Sequence, residues 1–292
     1  MDVPVDVVSV DAYRAPFYAP LTFPYYRPLL LPAPHPQVLA RGLLRGDEPV
    51  GLGLVEIVPG HGAYVRSIYV APGLRRRGLA AELLRRLEAA TRARGESELR
   101  GVYMAGESNV EAIEALLARC GWDPPALRMY VLRSNLDSID RARWMQRHRL
   151  GPEFEIFPWK DLTAAEREAL LARQATHPVS REVFPFTFSP DIEPHTSVGV
   201  RRDGEVVGWV VNHRYDDHTV RFTASYLREE YQRLGGLIAV YAESINRCRP
   251  VGITDAIWTV PVEFPRMVAF ARRALIPYAT SIQETRGSRK RL

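Results

Sequence analysis

The chain carries a copy of itself at a spacing of 157 residues. Glu48-Pro49-Val50-Gly51 returns as Glu205-Val206-Val207-Gly208, Gly78 as Gly235 and Tyr69 as Tyr226. The same spacing sets Val110, Ala112 and Ile113 against Met267, Ala269 and Phe270, with no gap. Each match is weak alone, but one register kept from an early hairpin to a late helix is stronger. A period this long is domain-sized and far above the repeats of solenoids. The sequence therefore reads as a duplicated domain, and its 292 residues suit two domains. With 46% apolar and 25% charged residues, each half can bury a core of its own.

In the first half, strands are expected at 3–10, 37–44, 49–58, 63–71, 98–105 and 127–133, with Arg45-Gly46-Asp47-Glu48 as a hairpin turn. Prolines at 16, 20, 24, 28, 32, 34 and 36 forbid a long helix over 12–36. That stretch reads as broken helix or loop with an aromatic surface. Leu79, Leu83, Leu84, Leu87 and Ala90 form the apolar stripe of a helix over 78–94. Ser108-x-x-Glu111 is a capping-box signature for a helix that Gly121 ends after Arg119. Thr163-x-x-Glu166 is another, placing a helix at 164–173 after a strand at 153–158. Domain boundaries follow: a first domain over 1–134, a basic linker helix over 135–150 with Arg141, Arg143, Arg147 and Arg149, and a second domain over 151–292. The tail from Arg286 to Leu292 is expected to be disordered.

The chemistry concentrates in Val70-Ala71-Pro72-Gly73-Leu74-Arg75-Arg76-Arg77-Gly78-Leu79-Ala80. A strand ends, Pro and Gly turn the chain, and a helix begins with small residues. Such a helix start offers unpaired N–H groups and the positive end of the dipole, which suits a pyrophosphate. Gly78 and Ala80 keep the approach open, and the arginines add charge-assisted hydrogen bonds.

The pattern Val-x-Pro-x-x-Arg-x-x-Gly-x-Ala resembles the acetyl-CoA signature of the GCN5-related N-acetyltransferase (GNAT) superfamily. The order of elements over 3–133 is similar to that fold, and the second half follows it more faintly. The resemblance implies an α+β, three-layer protein made of two tandem acyl-CoA N-acyltransferase-like domains. Each would be a twisted, mixed, mostly antiparallel sheet flanked by helices. It implies acetyl-CoA as acyl donor. Backbone groups of Ile68 and Val70 would pair with its pantetheine arm. The amides of Arg75, Arg76, Arg77, Gly78, Leu79 and Ala80 would hold its pyrophosphate, and Asn109 would touch the pantetheine. The strands at 63–71 and 98–105 would splay to admit it. The reaction implied is direct acyl transfer to a primary amine, on a small molecule or a peptide. A backbone N–H, that of Val70, could polarise the thioester.

The sequence departs from the family where a helical tyrosine usually serves as acid: those positions hold Leu116 and Leu117. Tyr103 is a substitute candidate, and the thiolate could also leave unassisted. Candidates for the base are Glu56, Tyr64 and His61. Glu56 alternates with Leu52, Leu54 and Val58, and a carboxylate among apolar neighbours suits that role. Without an acid the chain could instead be an acyl-CoA sensor or scaffold that does not catalyse. At the common spacing, the second half places Glu229, Gln232, Leu237 and Arg266 opposite Pro72, Arg75, Ala80 and Asn109. A degenerate copy that binds CoA poorly is expected.

A net charge of +5 favours anionic partners, including a polyphosphate cofactor. Cys120 and Cys248 make no disulfide framework and no zinc pattern, so no metal is expected. There is no apolar span and no signal-peptide pattern, and a cytoplasmic location is expected. Neither membrane nor nucleic acid is expected as a partner; the assembly is a monomer or a homodimer.

Overall fold

The computed structural model describes residues 4–188, 192–232 and 235–292. In chain order the first repeat comprises β1 (Val5–Ser9), α1 (Ala15–Tyr18), β2 (Val38–Arg45), β3 (Glu48–Val58), β4 (Gly62–Val70), α2 (Leu79–Ala93), β5 (Glu98–Met104), α3 (Val110–Arg119) and β6 (Ala126–Asn135). Two short helices follow, α4 (Leu136–Asp140) and α5 (Arg143–Arg147). The second repeat comprises β7 (Phe154–Pro158), α6 (Ala164–Thr176), β8 (Val198–Arg202), β9 (Glu205–Arg214), β10 (Thr219–Leu227), α7 (Gly236–Asn246), β11 (Asp255–Pro261), α8 (Pro265–Phe270) and β12 (Ser281–Arg291). The order of strands and principal helices from β2 to β6 recurs from β8 to β12. Val3, read as the start of the first strand, lies outside the described residues.

The chain forms two compact units, Met1–Arg128 with Thr285–Leu292, and Met129–Glu284. In the first unit, β1, β2, β3 and β4 run antiparallel in sequence order, β4 pairs in parallel with β5, and β5 pairs antiparallel with β12. One face of the sheet packs α2 and α3 through residues such as Val55, Leu84, Leu87, Leu99 and Leu117. The other packs the proline-rich segment through Ala15, Tyr18, Leu30, Leu52 and Leu54. In that segment α1 is followed by 3-10 turns at Ala19–Leu21 and Pro24–Leu29, the broken helix that its prolines dictate. Tyr13, Phe17, Phe23 and Tyr25 stay exposed.

In the second unit, β7, β8, β9 and β10 are antiparallel neighbours, β10 pairs in parallel with β11, and β11 pairs antiparallel with β6 from Met129 onward. Each repeat thus gives its last strand to the other unit.

Four expectations change. The tail is not disordered: Thr285–Arg291 pairs along β5, and Ser288 Oγ donates to Asp123 O. For the same reason the first unit contains the end of the chain, which the boundary at 151–292 had placed elsewhere. The 135–150 segment is no linker helix: α4 and α5 bury Leu136, Ile139 and Trp144 in the second unit's core, and Trp144 Nε1 donates to Ala274 O at 2.8 Å. Its apolar residues outweigh its exposed arginines. The Ser108 capping box does not form. Asn109 precedes α3 with φ −99° and ψ 4°, outside the extended region a cap residue needs, and gives no side-chain cap. The Thr163–Glu166 box does form, with both bonds made.

Candidate functional site

The turn after β4 is built by its sequence. Pro72 opens a single 3-10 turn over Pro72–Leu74. Arg75 is extended, Arg76 takes φ +63°, and Gly78 takes φ +82° as the residue before α2. Glycine adopts that conformation freely; Arg76 does so at a cost of about 1–3 kcal/mol, a strain typical of ligand-binding turns. Arg75 Nε donates to Val70 O at 3.0 Å, tying the turn to the strand end. Gly78 offers α2 no side-chain cap, so the first-turn N–H groups lack that partner. A Cβ placed on Gly73 or Gly78 would meet nothing within 4 Å. The space above the turn is open, and the fit to a diphosphate rests on that.

Beside the turn the sheet parts. β4 pairs with β5 only over Ala63–Val65 and Leu99–Gly101, although both strands continue. A β-bulge contributes: pairing of β3 with β4 passes from Leu54↔Ser67 to Val55↔Val65, leaving Arg66 as the extra residue. Ala71 N–H donates to Val50 O. By the two-residue alternation of an antiparallel ladder, the main-chain groups of Ile68 and Val70 point away from β3, toward the parting. Arg75 already occupies Val70 O, which leaves the Val70 N–H directed there.

The polar candidates fall into two groups on opposite faces of the sheet. Tyr103, on β5 beyond the last pairing with β4, packs with the helix face. Its hydroxyl donates to Glu114 Oε1 at 2.9 Å, and Arg286 Nη1 donates to the same oxygen at 2.8 Å. Burial first, and then the Glu114 carboxylate, push the Tyr103 phenol well above its ordinary pKa. Arg286, and then the phenol, hold Glu114 below the usual carboxylate range. A phenol that holds its proton this firmly, and aims it at a carboxylate, is poorly suited to protonate a leaving thiolate.

Glu56 and Tyr64 are cross-strand partners on the other face. The apolar surroundings expected for Glu56 are interrupted by the bulged Arg66, whose Nε donates to Glu56 Oε2 at 2.7 Å. Tyr64 donates to His61 O, accepts from Arg100 Nη1, and lies under the guanidinium groups of Arg66 and Arg100 at 5.0 and 5.8 Å. Asn109 is exposed at the start of α3. Glu114 and Arg286 were not foreseen. Glu114 looked like any polar helix position, and Arg286 stood in a tail with no apolar pattern.

Comparison with known proteins agrees with this geometry. Residues 9–122 match the acetyltransferase (GNAT) family. The chain has the tandem GNAT fold. Over 99% of its length it superposes on a tandem GNAT protein from the clavulanic acid biosynthesis pathway (TM-score 0.65, 14% identity, 98% of that chain). It superposes equally on a GCN5-related N-acetyltransferase from Sphaerobacter thermophilus (TM-score 0.66, 16% identity, 99% of this chain and 96% of that one). These likenesses are ones of fold. No curated protein matches the sequence. Among the described residues no helix is long and apolar enough to cross a membrane.

The second repeat keeps the outline of the first site and fills it. Gly235 precedes α7 with φ +83°, and Gln232 Nε2 donates to Leu227 O as Arg75 does to Val70 O. Residues 233–234 lie outside the described residues. The bulge recurs at Thr223, 157 positions after Arg66. A Cβ on Gly235, however, would lie 2.5 Å from His148 Nδ1, because that ring covers the turn. Trp258, at the position of Gly101, stacks on Phe222 at 5.1 Å, and Tyr241 packs against Phe222 and Phe270. Tyr241 is buried and its hydroxyl shares a hydrogen bond with Ser225, which stands where the first repeat has Ile68.

Proposed function

We propose that the first unit binds an acyl-CoA, acetyl-CoA as the first choice, and transfers its acyl group directly to a primary amine of a small-molecule or peptide acceptor. The observation that carries this reading is the open, uncapped helix start at Gly78 beside a parted pair of strands. The amides from Arg76 to Ala80 would hold the pyrophosphate, with the exposed Arg76 guanidinium adding charge; the Arg75 N–H, expected to join them, is instead bonded to Pro72 O within the 3-10 turn. Ile68 and Val70 would extend the sheet onto the pantetheine arm, and Asn109 would approach it from α3. The bound acyl-CoA supplies an activated thioester. The Val70 N–H is directed to polarise its carbonyl.

Tyr103 serves in this reading as an oriented wall residue rather than as an acid, and the thiolate leaves without an enzymic proton donor. Glu56 and Tyr64 would meet the amine on the far face, where release of Arg66 would free the carboxylate to take a proton. The second repeat holds no CoA and supports the fold.

Titration calorimetry with acetyl-CoA, followed by a screen of amines for CoA release, tests the reading. Binding with turnover on one amine class is expected. Tight binding with no turnover on any amine would make the protein an acyl-CoA sensor, and absence of binding would end both readings.

A further inference from the structure

We infer that the last eight residues of the chain complete the acyl-CoA site of the first unit, with Arg286 as the residue that positions Tyr103 in its wall. The inference rests on the acyl-CoA reading above. The wall in question is β5 with α3. On the β4 side, β5 is bonded only over Leu99–Gly101; on its other side it is bonded to β12 from Glu98 to Met104. β12 bonds the opposite edge of β5 along its whole length, so β5 can stand away from β4 at Val102–Met104 and still belong to the sheet, with its β4-facing groups there left open to the parting.

Side chains of β12 fasten the helices as well. Lys290 Nζ reaches Glu88 Oε2 and Cys120 O, each at 2.6 Å. Glu88, buried on α2, also accepts from Trp122 Nε1 at 2.8 Å. Lys290 therefore joins α2 and the end of α3 to the last strand. Nearer the parting, Arg286 stands opposite Tyr103 in the ladder and donates to Glu114 Oε1, the oxygen that accepts the Tyr103 hydroxyl. The phenol is thereby held between β5, α3 and β12, on the face that carries Ile68. Arg286 acts through Glu114, and the strand that brings it belongs by sequence to the second repeat. The first repeat alone, cut at residue 134, lacks both.

The test uses the full chain, with acetyl-CoA affinity and thermal midpoint as separate readouts. Arg286→Ala should weaken acetyl-CoA binding roughly tenfold, the coupling usual within one hydrogen-bonded network. Its midpoint should fall by no more than about 3 °C, because the lost ion pair is partly exposed. Arg286→Lys should recover affinity to within about threefold of the parent, since the charge on Glu114 is kept. Glu114→Gln combined with Arg286→Ala should weaken binding no further than the worse single change.

A chain ending at Glu284 should lose acetyl-CoA binding. A synthetic peptide of residues 281–292 should restore both midpoint and affinity, whereas the peptide carrying Arg286→Ala should restore the midpoint without the affinity. Unchanged affinity in Arg286→Ala, or in the shortened chain, would overturn the inference. Should the shortened chain not be rescued by either peptide, the point variants decide alone. A parent protein that ignores acetyl-CoA would overturn the functional reading instead, and that result needs no variant.

Discussion

The turns at Gly78 and Gly235 have nearly the same backbone and opposite surroundings. Both glycines take φ near +80°, both precede a helix without a side-chain cap, and both follow a polar side chain bonded back to the strand end. Above Gly78 there is open space; above Gly235 there is the ring of His148. Behind Gly78 the strands part beside Gly101; in the second unit Trp258 and Tyr241 fill the corresponding place. Duplication preserved the dihedral requirements of the turn, which belong to the fold. What differs is the volume around it. A site of the proposed kind is a backbone shape plus an emptiness, and the second copy keeps the shape alone.

The largest expected effect comes from unplugging that copy. Trp258→Ala should destabilise the second unit by about 3–5 kcal/mol, the range for removing a buried tryptophan. Gly101→Ala in the first unit should change stability little, because the new methyl would lie 3.5 Å from Trp122 Cζ3, an ordinary contact. Denaturant titration distinguishes the two. A tolerated Trp258→Ala would mean that the aromatic cluster does not pack the parting as described.

Gly78→Glu places a carboxylate where the diphosphate is proposed to sit. Acetyl-CoA affinity should fall by about a hundredfold or more, as like-charge contacts cost several kcal/mol. Gly235→Ala should leave acetyl-CoA affinity unchanged and lower stability by about 1–3 kcal/mol, through overpacking against His148 and the positive φ. Equal effects of the two changes on affinity would break the comparison.

How much of this was legible depends on the range of the forces involved. The turn could be read because its requirements are local: a strand, a proline, a glycine at positive φ and a helix stripe fall within a few residues of one another. The duplication could be read because those local signals return in register. Which strand pairs with β5 could not. β6 and β12 occupy the same place in their repeats, so either could close either unit, and the choice is settled by non-local contacts such as Lys290 with Glu88 and Cys120. His148 likewise looked like part of a basic connector. Glu56 was placed on the correct face, with Leu52 and Leu54, but the bulge that brings Arg66 onto it leaves no mark in a pattern of alternation.

The second unit also has an acid-sensitive lock at its first long helix. Glu166 accepts from Arg201 Nε at 2.6 Å and from the Thr163 backbone, and these bonds, the arginine's above all, lower its pKa from 4.5 to about 2. A carboxyl depressed on folding adds stability above its unfolded pKa and loses it as pH falls through the folded value. The contribution should therefore be intact above pH 4.5 and fade toward pH 2. Glu166→Gln should flatten the acid limb of the melting curve in that window, and an unaltered limb would show that the pair does not govern it.

The smallest expected effects concern the two capping signatures, which look alike in sequence and differ in the fold. Thr163→Ala removes an acceptor that the Glu166 N–H uses, and should cost about 1 kcal/mol. Ser108→Ala should cost nothing measurable, because α3 begins after Asn109 and Val110 N–H already bonds to Glu107 O. The contrast follows from the chain's direction of entry: Thr163 is extended with ψ 159°, which turns its hydroxyl toward the helix start, whereas Asn109 arrives in a tight turn with ψ 4°. If chemical denaturation shows both changes to be equally harmful, the entry to α3 is more extended in solution than described.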